Sequence, residues 1–298
     1  MRAPNGVARW AQSNVAPLTD YARVAHAPNV APAFVYDDRI NQRLAFWQGD
    51  ITTLDVDAVT NTTNETLSEC NAVSERILQV AGPDLKEEII TRALECRTGE
   101  VVVTPGYQLR CRHIIHTVSP KYVAKYHTAA ESSLHNCYKN VLIKASELGA
   151  RSLALCVLSS PRRNFPPDVA AHVALRTIRR HLEQSALPQL VVVCGGGVEL
   201  SPLSALAALY FPRSAREALS AAARLPDPGG PPERRIRIIH NPHEPHEPHA
   251  ADDDTACDSD AAAEAAAAFA RACAPDTQRL LAPASPIAPR RLLHDHDE

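Results

Sequence analysis

A chain of 298 residues with 45% apolar content can bury one or two cores, and its net charge of −3 gives no general attraction for polyanions. No apolar run approaches the ~20 residues needed to cross a bilayer. The eight cysteines (Cys70, Cys96, Cys111, Cys137, Cys156, Cys194, Cys257 and Cys273) show no C-x-x-C pairing, and several lie in apolar runs as small hydrophobes. With no secretory apolar stretch after Met1, this points to a reducing intracellular compartment, the cytoplasm.

Residues 1–42 are rich in Ala, Pro and Asn, have little periodicity, and read as a loosely ordered lead-in. From Arg43 the runs L-A-F-W-Q (44–48), D-A-V-T-N (57–61), V-V-V-T (101–104), H-I-I-H-T-V (113–118), S-L-A-L-C-V-L (152–158) and L-V-V-V-C (190–194) predict strands. Several are continuously apolar, as strands covered on both faces should be. Helical patterns alternate with them. Asp84–Glu87 and Thr128–Glu131 read as capping boxes, and Gly149 suits the position after a helix end. Pro166-Pro167-Asp168 opens a helix that turns Val169, Val173, Leu175, Ile178 and Leu182 to a core. Ser201-Pro202 offers a cap and first-turn proline for the next, which makes Gly195-Gly196-Gly197 a flexible turn before it.

Strands alternating with helices imply βαβ units, hence an α/β fold with three α/β/α layers around a mixed, mostly parallel sheet over residues 43–212. Residues 213–298 read as a linker followed by low-complexity sequence, with H-E-P-H-E-P-H and the acidic run D-D-D-T-A-C-D-S-D. No second packed domain is expected there. The histidines at 243, 246 and 249 belong to that tract. Cys111, His113 and His116 have a faintly metal-like spacing, but along a strand they face opposite sides. No metal and no cofactor are expected.

In an open parallel sheet, ligands sit at the carboxyl ends of strands beside helix N-termini. Asp50-Ile51, the segment from Asn61 to Ile77, and Ser159 to Pro166 fall there. Asp50 suits either an exocyclic amine, as on adenine, or a turn cap; Asn61 and Asn64 suit ribose hydroxyls or a turn.

The blocks Q-G-D-I-T-T-L-D-V-D-A-V-T-N-T-T-N-E-T-L, A-G-P-D-L, C-R-T-G-E, T-P-G-Y-Q-L and H-I-I-H-T-V-S-P resemble, in order and spacing, the macro domain, the ADP-ribose-recognition fold. The resemblance continues through S-L-A-L-C-V-L-S-S and F-P-P-D-V-A-A-H-V-A-L-R-T-I-R-R and covers residues 43 to about 212. It implies that Asp50 and Ile51 face the adenine, that Asn61 and Asn64 face the distal ribose, and that Val73 and Ser74 follow a phosphate-wrapping glycine loop. That loop here reads Glu69-Cys70-Asn71-Ala72, without glycine. Ser74 occupies the position of the family's hydrolytic aspartate. A second loop, Ser159-Ser160-Pro161-Arg162-Arg163-Asn164-Phe165, places Pro161 and Asn164 at the family's glycines.

Side chains in place of glycines hinder a diphosphate, whereas Arg162 and Arg163 suit phosphate oxygens or a solvated surface. A serine at 74 has no base of its own, and Glu75 points elsewhere on the helix. The expectation is a non-catalytic binding or scaffold module with an eroded pocket, taking ADP-ribose or another adenine nucleotide weakly. The rivals are an ADP-ribose-binding protein or mono-ADP-ribosyl hydrolase, and an adenine-rich RNA binder using a groove of Arg162, Arg163, Arg176, Arg179 and Arg180.

Overall fold

Six short β-branched and apolar runs form the strands β1 (Leu44–Gln48), β2 (Ala58–Thr63), β3 (Val101–Pro105), β4 (His113–Val118), β5 (Ser152–Cys156) and β6 (Leu190–Gly195). They make one sheet in the order β1-β6-β5-β2-β4-β3, parallel throughout except for β3 against β4. The computed structural model describes residues 7–15, 32–68, 71–159, 163–222 and 224–225. The tail from residue 226, the histidine tract, Glu69, Cys70, Ser160, Pro161 and Arg162 lie outside the described residues.

The helices are α1 (Asp38–Asn41), α2 (Ala72–Ala81), α3 (Pro83–Thr91), α4 (His127–Glu147), α5 (Pro167–Gln184), α6 (Gly197–Tyr210) and α7 (Ala215–Ala222). They cover the sheet as the outer layers of an α/β/α fold: α2 packs on β2, α4 on β3 and β4, and α6 on β1 and β6. The reason is visible in α2, where Ser74, Ile77, Leu78 and Ala81 recur at helical spacing and are all buried. Cys156 and Cys194 are register partners inside the sheet, both buried and free.

Several element ends differ from the sequence expectation. Helix α3 starts at Pro83, one residue before the expected cap, because a first-turn proline lacks only an N–H that would be orphaned anyway. Helix α4 starts at His127, since the 3-10 turn Ala124–Tyr126 runs straight into it and no side chain caps it. Gly149 does terminate α4, at φ 66°, with its N–H on Ser146 O and the Ala150 N–H on Ala145 O. Ser201-Pro202 does not open α6. The helix begins at Gly197, so the triple glycine is its N-terminus, and Glu199 accepts the Gly196 N–H at 2.9 Å. Pro202 sits within the helix, where the bond it cannot make is to Val198, a residue 88% exposed.

The lead-in is more tightly held than its composition implies. Trp10 is buried and its indole N–H donates to Phe211 O at 2.7 Å, while Arg9 forms a bridge to Ala45 that covers the β1 edge. Asn41 donates to Pro212 O, and Arg213 lies over the Trp10 ring and donates to Ser13 O and Val15 O. Arg179 locks the same corner from α5. Its fully buried guanidinium donates to Glu183, to Tyr210 O and to Val35 O, between the rings of Phe34 and Phe211.

A second buried polar group sits within the sheet. His116 on β4 lies opposite Asn61 on β2, with Asn61 Nδ2 3.1 Å from its Nδ1 and Thr104 Oγ1 3.0 Å from its Nε2. With Asn61 as donor, Nε2 carries the ring proton and donates to Thr104. Burial drives the imidazole pKa down to about 4, against a small opposing pull from Glu88.

Two outcomes follow from these buried groups. Arg179→Ala should destabilise the protein by about 3–5 kcal/mol in urea unfolding, because two carbonyls and a carboxylate lose their donor in the interior. Between pH 6.5 and about 4 the unfolded chain takes up a proton at residue 116 that the folded chain refuses. Stability should therefore fall with pH across that window, by about 3 kcal/mol from this residue. His116→Gln should flatten the slope without abolishing it, since burial also lowers the pKa of His172 and His181.

Candidate functional site

Strands β2 and β5 are neighbours, yet the chain leaves β2 toward the β3 edge and β5 toward the β6 side. Such a switch point opens a crevice beyond the carboxyl ends of the two strands. Every residue of β2 is buried, and its last four are Thr60, Asn61, Thr62 and Thr63. The segments after β2 and after β5 meet over this strand end.

Asn61 Nδ2 reaches His116 and, at 3.4 Å, Ser74 Oγ, while its Oδ1 has no protein partner. Ser74 is fully buried, and among the described residues its hydroxyl meets this amide and no carboxylate or imidazole. Glu75 is exposed on the other side of α2. Asn64 folds onto its own turn: Oδ1 accepts the Ser68 N–H at 2.7 Å and Nδ2 donates to Ser68 Oγ, with Leu67 at φ 57°.

Asn71 caps α2. Its Oδ1 accepts from the N–H groups of Val73 and Ser74 at 3.1 and 2.9 Å, and its Nδ2 donates to Thr62 O. These two N–H groups are the ones an anion at the helix start would bond, and the protein bonds them itself. Val73 is half-buried beside them.

From the other side, Ser119 donates to Leu158 O and pairs with Thr62 Oγ1, and Leu158 N–H donates to the Tyr138 hydroxyl. Ser159 is half-buried just beyond. Arg163 Nη2 donates to Thr63 O at 3.3 Å, and its carbonyl accepts from the Tyr122 N–H. Asn164 adopts φ 58°, a left-handed conformation that Asn tolerates better than most side chains. Phe165 is buried with its ring centroid 5.1 Å from that of Tyr122. Each loop thus sends one side chain, Asn71 or Arg163, to a terminal carbonyl of β2.

Asp50 stands apart, between β1 and the 3-10 turn Ile51–Thr53, with Ile51 buried behind it. Its Oδ1 accepts the Thr52 N–H at 2.9 Å and the Thr52 hydroxyl at 2.6 Å, and its Oδ2 pairs with Arg76 Nε at 2.6 Å. Burial alone would raise this carboxyl, but the bonds from Thr52 and Arg76 outweigh it and hold the pKa below the usual carboxylate value.

Two sequence expectations need correction. Arg179 cannot border an RNA groove, because its guanidinium is entirely inside the core. Arg180 is exposed but lies over the Phe34 ring at 4.7 Å, and Arg176 is half-buried. Cys111 and His116 are buried, and no group of His, Cys, Asp and Glu among the described residues could hold a metal.

Sequence reasoning missed Arg76, Tyr122 and the capping role of Asn71. Asn71 was recoverable, since Asn directly before a helical apolar pattern is a cap signal. Arg76 and Tyr122 had no local signal, because their partners lie 26 and 41 residues away.

A family model described as "Macro domain" matches residues 60–174. A relative from Drosophila pseudoobscura pseudoobscura, "Protein GDAP2 homolog", is 49% identical over 235 residues, covering 76% of this chain and 43% of its own. The chain thus spans less than half the length of that curated relative. The crystal structure of the ganglioside-induced differentiation-associated protein 2 (GDAP2) macro domain is 41% identical with a TM-score of 0.62, covering 70% of this chain and 95% of its own. The Trypanosoma brucei macrodomain in complex with ADP is 29% identical with a TM-score of 0.52, covering 59% and 73%. With the fold, the ordered blocks and a relative matched over nearly its whole length in agreement, the chain belongs to the macro domain family.

Proposed function

We propose that this chain is a non-catalytic recognition module that takes a nucleoside diphosphate weakly in the crevice beyond β2 and β5 and works as a binding or scaffolding unit. The Trypanosoma brucei macrodomain has been solved with ADP and with ADP-ribose, which makes that ligand class the starting point. The observation that carries the word "weakly" is Asn71. Its side chain occupies the N–H groups of Val73 and Ser74 that a diphosphate would otherwise bond. Binding there must displace the cap or do without those donors. Each charge-assisted bond forgone costs about 1.5–3 kcal/mol.

The non-catalytic reading is supported by Ser74. A buried hydroxyl whose partner is an amide has no group to take its proton, and an amide is not a general base at neutral pH. The exposed Glu75 is on the wrong side of α2 to help. The buried, unpaired thiols suit a reducing compartment, and a cytoplasmic location is part of this proposal.

Calorimetric titration with ADP-ribose should give a dissociation constant of about 0.1 mM or weaker, because the lost donors remove several kcal/mol from a micromolar site. A low-micromolar constant would overturn the eroded-pocket reading. Asn71→Gly should release the two N–H groups and tighten binding about tenfold, while costing about 1 kcal/mol of stability through the lost cap and the Thr62 bond. Incubation with a protein ADP-ribosylated on acidic side chains should release no ADP-ribose; turnover that Glu75→Ala abolishes would contradict the assignment.

A further inference from the structure

The pair Asp50–Arg76 carries a consequence for base selectivity. Asp50 has about four acceptor positions, as any carboxylate does, and three are already filled, by the Thr52 N–H, the Thr52 hydroxyl and Arg76 Nε. Arg76 uses only two of its five donors on side chains among the described residues, Nε on Asp50 and Nη1 on Gln79 Oε1. The guanidinium is also the outer member, with its side chain 47% exposed against 28% for Asp50. A base approaching this corner meets N–H donors first and a carboxylate already neutralised behind them.

That arrangement is poor for a 6-amino group, whose N–H bonds and partial positive charge would face a cation. It suits a 6-oxo group. The carbonyl oxygen accepts from the guanidinium, and the ring N1–H, which an oxo-purine has and adenine lacks, can donate to the one remaining acceptor of Asp50. We propose that Arg76 sets the base preference of this site toward 6-oxo-purine nucleotides, of the hypoxanthine or guanine type, and against adenine. The inference rests on the reading above that the crevice takes a nucleoside diphosphate.

The test is titration of the full chain with ADP and with IDP, which differ only at the purine 6-position and the adjoining N1 proton, followed by chemical shifts up to millimolar ligand. IDP should bind about tenfold more tightly than ADP, the worth of one good hydrogen bond. Arg76→Met, at an exposed side chain that the fold does not need, should reverse the order by freeing Asp50 for an amine. ADP binding as tightly as IDP would overturn the base preference and leave the module reading standing. So would Arg76→Met weakening both nucleotides alike, which would make Arg76 a phosphate contact. Absence of binding by either nucleotide, to wild type and variant, would overturn both the inference and the reading beneath it.

Discussion

The central strand β2 is buried along its whole length, yet four of its six residues, Thr60 to Thr63, are polar. An unpaired polar group in such a place costs free energy comparable to a lost hydrogen bond, so the strand end must recruit partners from every element around it. Asn61 turns to Ser74 and His116, Thr62 to Ser119 and Asn71, and the Thr63 carbonyl to Arg163. This requirement organises the crevice. The loops after β2 and β5 close over the strand end, tied there by side chains that meet its polar groups.

Satisfaction is incomplete. Asn61 Oδ1, Thr60 Oγ1 and Thr63 Oγ1 have no protein partner. Buried orphans of this kind are few in folded proteins, and three of them on one strand mark it as the place where stability yields most. The replacement of glycine by Asn71 relieves part of the demand, because its amide serves the Thr62 carbonyl while its oxygen caps α2. A residue that shuts a phosphate site thereby strengthens the frame around it. Loss of ligand affinity and gain of internal bonding are the same structural event.

The corner opposite the crevice works differently. Arg179, Trp10, Asn41 and Arg213 fasten the lead-in to the turn between α6 and α7, with each side chain donating to backbone carbonyls. Guanidinium is suited to this because its planar fork can serve several acceptors while its faces stay against aromatic rings. Arg179, which on sequence grounds belonged to a surface stripe with Arg176 and Arg180, is instead drawn inward by the carbonyls of Val35 and Tyr210. Helical spacing placed it toward the core side, beside Leu175, Ile178 and Leu182, and its charge hid that placement.

The sequence by itself determined the six strands, most of the helices, and the position of the ligand crevice. Each of these depends on short-range apolar periodicity or on ordered blocks that are legible residue by residue. It also determined that the family's glycines are absent, since identity needs no coordinates. Only the tertiary structure decided what the substituted side chains do. Asn71 could have pointed to solvent, Asp50 could have stood open, and Arg163 could have waited for an anion. Their actual partners, Thr62, Arg76 and Thr63, come from other segments brought alongside by the sheet, and no local pattern encodes a bond to a residue 26 or 100 positions away. The same reason explains Trp10 and Arg179, whose partners are fixed by packing of the two chain regions against each other, across 201 and 144 residues of sequence.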